Sequence, residues 1–284
     1  MTRWNVQGQQ GRPAGEMTVP GDKSLGHRSV MFAAMATGTS IVSGLPQGED
    51  VRSTISVFRH LGVSIEELDA PDKVRIEGKG FTGLLAPDAP LDCGNSGTTM
   101  RLLSGLLAGV AGLEVTLTGD ESLSSRPMGR VVNPLREMGA DIEAMGEGQR
   151  APIRILGRHP LQAVRYQSPV SSAQVKSALF LAGLTGGVPV AVLEPHLSRD
   201  HTERMLAARG CPVEERDGWL EMNGGIDGLP PMDTVVPGDI SSAAFFLVLG
   251  AIGAGPEGIV IRNVGVNPTR TGICLLYTSP SPRD

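Results

Sequence analysis

Four stretches of this chain share one design: a Gly/Ser-rich polar turn followed by a helix of small apolar residues. They are 20–36, 93–110, 168–184 and 237–250. Their turns read Asp22-Lys23-Ser24, Gly94-Asn95-Ser96-Gly97-Thr98-Thr99, Ser171-Ser172-Ala173-Gln174 and Gly238-Asp239-Ile240-Ser241-Ser242. Each is followed by a short strand rich in β-branched residues, at 39–42, 113–117, 188–192 and 258–261. A second helix follows in the first three copies. Asp50 serves as its expected N-cap in the first, Pro127 opens it in the second, and Asp200 with Glu203 forms a capping-box-like start in the third. These helices are expected to stop at Gly62, Gly139 and Gly210, where a left-handed residue closes the last turn. The unit is about seventy residues of helix, strand, helix and strands, too long for a solenoid repeat.

A repeat of this kind implies an α/β protein in which like units pack around a common axis. The polar helix N-termini then gather at one end. Three complete units run from about 20 to 236 and a fourth begins at Pro237. The first turn, Pro20-Gly21-Asp22-Lys23-Ser24 with His27-Arg28, is the most informative of the four. A helix N-terminus carries unpaired N–H groups and partial positive charge, and Lys23 and Arg28 add two full charges, so the place suits a phosphate or carboxylate. The competing reading is an ordinary Ser-capped surface helix with solvated basic residues.

The fourth copy is expected to fail. A helix should begin near Asn267-Pro268-Thr269-Arg270, but Pro280 and Pro282 break the pattern. The expectation is a chain whose native-type sequence ends at about Ile273, with 274–284 a foreign-looking, disordered tail, and hence a fragment.

Composition narrows the partners. A formal charge of -5 and 4% aromatic residues argue against a nucleic-acid binder, which needs clustered positive charge and bases to stack on. Positive residues are expected instead in a cleft for a small anion. Cys93, Cys211 and Cys274 have neither metal-type spacing nor His partners, so no metal is expected. Gly, Pro or charge interrupts every apolar run before membrane-spanning length, and the N-terminal residues carry no leader pattern. The expected setting is cytoplasmic, without membrane or nucleic-acid partners.

The motifs, in order, resemble those of the 5-enolpyruvylshikimate-3-phosphate synthases, in their bacterial class II form. The likeness runs from about Val19 to Ile273. It is carried by Pro20-Gly21-Asp22-Lys23-Ser24, Gly94-Asn95-Ser96-Gly97-Thr98 with Arg101, and Gly119-Asp120-Glu121-Ser122-Leu123 with Arg126-Pro127-Met128-Gly129. Ser171-Ser172-Ala173-Gln174, Arg199-Asp200-His201-Thr202-Glu203, Pro237-Gly238-Asp239-Ile240-Ser241-Ser242 and Asn267-Pro268-Thr269-Arg270-Thr271-Gly272 complete it.

The resemblance implies an enolpyruvyl transferase-type fold, with repeated βαβαββ units in inside-out α/β barrel domains. One complete three-unit domain would span 21–237, and 1–20 with 238–273 would form part of a second. It implies transfer of the enolpyruvyl group from phosphoenolpyruvate to the 5-hydroxyl of shikimate 3-phosphate, releasing phosphate, in the route to chorismate and the aromatic amino acids. Lys23 would be catalytic and touch both substrates. Ser24, Arg28, Ser172, Ala173, Gln174 and Arg199 would bind shikimate 3-phosphate; Gly97, Arg126 and Gln174 would bind phosphoenolpyruvate or its analogue glyphosate. No cofactor is implied, and the complete protein would be a monomer.

Alternatives exist for single residues. Lys23 could be a solvated lysine, Gly97 a plain turn glycine, Arg126 a surface partner of Glu121, and Arg199 a helix-start arginine. Arg101, His27 and His201 are expected to be structural, and Asp239 with Ser241-Ser242 to be cap and interdomain structure. The family's catalytic Asp and its Lys-Glu-Ser-Asp-Arg segment have no counterpart in the tail, so the chain alone is expected to be inactive, a non-catalytic anion-binding fragment. The related UDP-N-acetylglucosamine enolpyruvyl transferases carry Lys-Asn where Lys23-Ser24 stands and a Cys near the clamp Arg. Leu123-Ser124-Ser125-Arg126 has none. No G-x-x-x-x-G-K-[ST] nucleotide loop is present either.

Overall fold

The polar turns deliver a capping side chain to three helices. Asp22 accepts from Leu25 N–H at 2.9 Å, Ser96 from Thr99 N–H at 3.1 Å and Ser172 from Val175 N–H at 3.4 Å. Each satisfies one of the donors that a helix start leaves open. These positions come from a computed structural model that describes residues 11–226, 228–253 and 255–274. The chain divides into two compact units: Gly21–Val236, and the described residues of Met1–Pro20 with those of Pro237–Asp284.

First in order is β1 (Gly15–Thr18), which belongs to the second of these units. Within Gly21–Val236 the first repeat runs α1 (Lys23–Ala34), β2 (Thr37–Ser43), α2 (Glu49–His60), β3 (Ser64–Glu67) and β4 (Val74–Lys79). The second runs β5 (Leu91–Asp92), α3 (Gly97–Ala108), β6 (Glu114–Thr118), a short α4 (Glu121–Ser124), α5 (Gly129–Glu137), β7 (Asp141–Gly146) and β8 (Arg150–Leu156). The third runs β9 (Val164–Gln167), α6 (Ala173–Thr185), β10 (Val190–Leu193), α7 (His201–Ala207), β11 (Val213–Arg216) and β12 (Trp219–Met222).

Each repeat makes one four-stranded sheet, and all three sheets have the same order. The second is β5-β6-β8-β7 and the third β9-β10-β12-β11, with the first two strands parallel and the rest antiparallel. The first repeat has no opening strand of its own. Its place is filled by β13 (Thr234–Val235), which pairs in parallel with β2 at Thr234↔Val42 and Val235↔Ser43. The unit thus closes by returning the chain after the third repeat to the sheet of the first. This is the βαβαββ unit, one strand longer than the helix-strand-helix-strands pattern read from periodicity.

Strands β4 and β8 alternate buried and exposed residues, so the sheets of the first two repeats keep one face in solvent. Helices α1, α3 and α6 lie inside and are buried along nearly their whole length. Glycine allows the inner helices to approach: a Cβ on Gly105 of α3 would lie 2.0 Å from the Ala178 carbonyl oxygen of α6.

Several local expectations change. Helix α1 is capped by Asp22, not Ser24, and is buried from Gly26 onward, so it is no surface helix. Helix α2 is preceded by Gly48 rather than capped by Asp50, whose carboxylate turns to Lys23 instead. At α7 the capping box does not form, because Asp200 pairs with Arg204 and Glu203 with Lys176. The glycines Gly62, Gly139 and Gly210 do stand in left-handed conformation, at φ 84°, 75° and 80°.

In the other unit β1 pairs in parallel with β14 (Ile259–Arg262), preceded by α8 (Ile240–Gly253). Arg262 pairs with Glu16 across these strands. Arg270 reaches the Ser241 hydroxyl, and Asp239 at 3.9 Å. The tetrapeptide Val19-Pro20-Gly21-Asp22 recurs as Val236-Pro237-Gly238-Asp239, the two points where the chain passes between units. Apart from Cys274, the tail expected at 274–284 lies outside the described residues.

Candidate active site

The starts of α1, α3 and α6 meet around one cleft in the Gly21–Val236 unit, lined by Ser24, Arg28, Thr98, Ala173, Gln174, Arg199 and His201. Arg28 projects from the second turn of α1 and is only 4% exposed. Its Nε donates to Thr202 Oγ1 at 2.7 Å, and its two terminal nitrogens donate to Ser177 Oγ at 2.8 Å and the Ser24 carbonyl at 2.9 Å. Five guanidinium hydrogens are available and three are used, so the group is fixed in direction yet can still donate. Burial, opposed by Glu203 and aided by Arg199, pulls Arg28 down to about 10, which leaves it charged at neutral pH. Arg199, on the β10–α7 connection, donates to Ser24 Oγ at 2.8 Å and ties that loop to α1.

Gln174 is clamped across the same cleft. Its amide nitrogen donates to Thr98 Oγ1 at 3.2 Å, while its oxygen accepts from Arg101 at 3.0 Å and Arg130 at 3.4 Å. Gly97 lies beneath two of the arginines: a Cβ there would stand 2.7 Å from an Arg101 terminal nitrogen and 3.4 Å from one of Arg126. Arg126 donates to Asn95 Oδ1 at 2.7 Å and Ser122 Oγ at 3.1 Å rather than pairing with Glu121. Asn95 in turn donates to Asp120 at 2.7 Å, and Asp120 caps α4 through Leu123 N–H. That backbone bond and the Asn95 amide hold the Asp120 carboxyl below the usual range. Among the described residues none of Arg101, Arg126 and Arg130 forms an ion pair with a carboxylate. Burial and the two neighbouring arginines bring Arg101 down to about 10. Three guanidinium groups, with the Asp120 carboxylate reaching Arg126 only through Asn95, leave a place of net positive potential.

Two predicted residues sit differently. Lys23 does not line the cleft; its side chain is 57% exposed and its Nζ lies 2.8 Å from Asp50 Oδ2. Ser172 N–H is taken by Glu194 at 2.8 Å and its hydroxyl oxygen caps α6, so of its donors the hydroxyl hydrogen remains for an anionic ligand. Ser24, Arg28, Ala173, Gln174 and Arg199 are together in the cleft. Gly97 and Arg126 join them through Arg101.

Behind α1 and α3 runs a buried polar chain. His27 Nδ1 is 2.7 Å from Thr54 Oγ1, which is 2.8 Å from Thr99 Oγ1, which donates to Ser96 Oγ at 2.7 Å. Burial pulls His27 down to about 3, so the ring is neutral and structural, as expected. Arg130 and the buried Lys176 were not singled out from the sequence. Arg130 follows directly on Arg126-Pro127-Met128-Gly129, and Lys176 is a charge on an otherwise apolar helix, which was a readable sign of a buried pair.

Three polar helix starts and an arginine group, on a threefold repeat of one βαβαββ unit, define the enolpyruvyl transferase fold. Residues 8–279 match the family described as EPSP synthase (3-phosphoshikimate 1-carboxyvinyltransferase), and the chain belongs to that family. It is 54% identical to the 3-phosphoshikimate 1-carboxyvinyltransferase of Citrifermentans bemidjiense, over 92% of this chain and 61% of that protein. It is also 54% identical to that of Geobacter sp. strain M21, over 91% of this chain and 59% of the relative. The solved structure of EPSP synthase from Acinetobacter baumannii is similar at a TM-score of 0.85 and 48% identity, covering 92% of this chain and 58% of that one. The chain therefore spans about three-fifths of the length of the curated relatives it matches. No helix among the described residues is long and apolar enough to cross a membrane.

Proposed function

We propose that this chain supplies the shikimate 3-phosphate site, and the first contacts to phosphoenolpyruvate, of a cytoplasmic enolpyruvyl transferase that is monomeric when complete. The observation that carries the reading is the cleft where Ser24, Arg28, Ala173, Gln174 and Arg199 converge, with the Arg126 group one residue away. In the reaction the 5-hydroxyl oxygen adds to C2 of phosphoenolpyruvate while C3 takes a proton. Departure of phosphate and loss of a C3 proton then restore the double bond. Both substrates are polyanions, so fixed donors aimed at phosphate and carboxylate oxygens are the contribution the chemistry asks for.

In this reading Arg28, Arg199, Ser24 and the Ser172 hydroxyl receive shikimate 3-phosphate, with Ala173 N–H at the start of α6. Gln174 stands between the two substrates, and Arg126 takes the phosphoenolpyruvate phosphate above Gly97, where only hydrogen leaves the arginines room. Lys23 leaves Asp50 to meet both anions and to move the proton. Such exchange is inexpensive, since an exposed Lys–Asp pair is worth about 0–1 kcal/mol.

Calorimetric titration of shikimate 3-phosphate into this chain tests the reading. Saturable 1:1 binding that Arg28→Ala abolishes supports it, and no binding at millimolar ligand refutes it. A second reading is binding without turnover, in which Lys23 keeps its contact with Asp50 instead of turning to the substrates. Steady-state phosphate release from both substrates separates the two.

A further inference from the structure

Helix α6 is buried from Val175 to Thr185, yet its fourth residue is a lysine. Lys176 is 1% exposed, with Nζ 2.9 Å from Glu194 Oε2 and 2.6 Å from Glu203 Oε1; these carboxylates are 1% and 10% exposed. A charge so deep is retained only with partners. Glu194 also accepts from Ser172 N–H at 2.8 Å, from Ser198 N–H at 3.2 Å and from the Ser198 hydroxyl at 2.7 Å. Burial alone would raise Glu194; the bonds from Ser198, Lys176 and Ser172 outweigh it and hold the carboxyl below its ordinary range.

The two backbone amides that Glu194 grips belong to the two sides of the cleft. Ser172 immediately precedes Ala173 and Gln174, and Ser198 immediately precedes Arg199. A second tie runs alongside: Ser171 Oγ donates to the His196 carbonyl at 2.7 Å and accepts from His196 N–H at 3.0 Å. The start of α6 and the 196–199 loop are thereby fastened into one rim. We propose that Glu194, held by Lys176, is a positioning residue that sets the distance between the first turn of α6 and Arg199, and with it the geometry in which the phosphate of shikimate 3-phosphate is received. This rests on the functional reading above.

The test titrates shikimate 3-phosphate into wild type, Glu194→Ala and Glu194→Gln, and follows amide exchange at Ser172 and Ser198. Glutamine keeps only one of the two acceptor oxygens that Glu194 uses, Oε1 toward Ser172 and Oε2 toward Ser198, so it can hold one of the two amides but not both. The expected result is about tenfold or greater loss of affinity in E194A, a smaller loss in E194Q, and faster exchange at both Ser172 and Ser198 in E194A but at only one of them in E194Q. Unchanged affinity in E194A, or exchange accelerated equally in β2, overturns the proposal. Should E194A fail to fold, Glu194→Asp keeps the charge one methylene shorter. Weaker binding in that variant supports the positioning role, and wild-type affinity overturns it. Absence of binding by wild type refutes the functional reading instead. Amide exchange then judges the clamp by itself, and unchanged rates at Ser172 and Ser198 in E194A overturn it.

Discussion

The Gly21–Val236 unit holds two charged groups built on opposite plans. Around Gly97, Arg101, Arg126 and Arg130 meet amide and hydroxyl partners and, among the described residues, no carboxylate. At α6, Lys176 stands between Glu194 and Glu203, out of reach of water. Unbalanced charge at an open edge attracts an anion from solution. In the interior two carboxylates share Lys176 and the field of Arg28, and such pairing resists displacement, because moving one partner strands the other. On the function proposed above, the first group receives and the second holds.

The largest effect is expected where the inner pairing is broken. Lys176→Met leaves two carboxylates buried without their cation and should cost about 3–5 kcal/mol in urea denaturation. A loss under about 1 kcal/mol would mean that water reaches Glu194 and Glu203. At the arginine group the signs should reverse. Arg126→Ala should leave stability within about 0.5 kcal/mol, as exposed sites do, yet lose about 1.5–3 kcal/mol of phosphoenolpyruvate affinity by calorimetry. Equal losses in both would place Arg126 with the structural residues.

His27 probes a third plan, burial of a neutral group. Its folded value of about 3 lies below the unfolded value of about 6.5, so its contribution is present above pH 6.5 and is lost as pH falls toward 3. The unfolded chain binds the extra proton in that window, so wild type should lose up to about 1.4 kcal/mol per pH unit relative to His27→Asn. Parallel slopes for the two proteins would show that the ring is solvated. A small stability change, under about 1 kcal/mol, is expected for Gly97→Ala, because the new methyl meets the far end of the Arg101 side chain. Binding should separate the substrates, with phosphoenolpyruvate and glyphosate weakened and shikimate 3-phosphate spared; loss of all three would deny the arginine group its separate role.

Local chemistry was legible in the chain. Capping residues and apolar periodicity act over a few positions, and they located the starts of α1, α3 and α6 and the left-handed stops at Gly62, Gly139 and Gly210. The repeat implied that those starts gather, and Ser24, Thr98 and Ala173 do share a cleft. What escaped depends on partners far along the chain. Strand β13 is two residues long and has no periodicity to read; its identity comes from β2, to which it is hydrogen-bonded. Asp50 reads as a cap by composition, but Lys23 from another helix claims it. Glu203 reads as half of a capping box, but Lys176 claims it.

Residue order by itself indicated where α1, α3 and α6 begin, where Gly62, Gly139 and Gly210 close their helices, and that the unit repeats, because caps and apolar periodicity act over a few positions. Only the tertiary structure decided which charges meet. Coulombic and hydrogen-bond partners are chosen by proximity in space, and packing three repeats around their inner helices brings Arg28 to Ser177, Arg199 to Ser24 and Lys176 to Glu194 and Glu203.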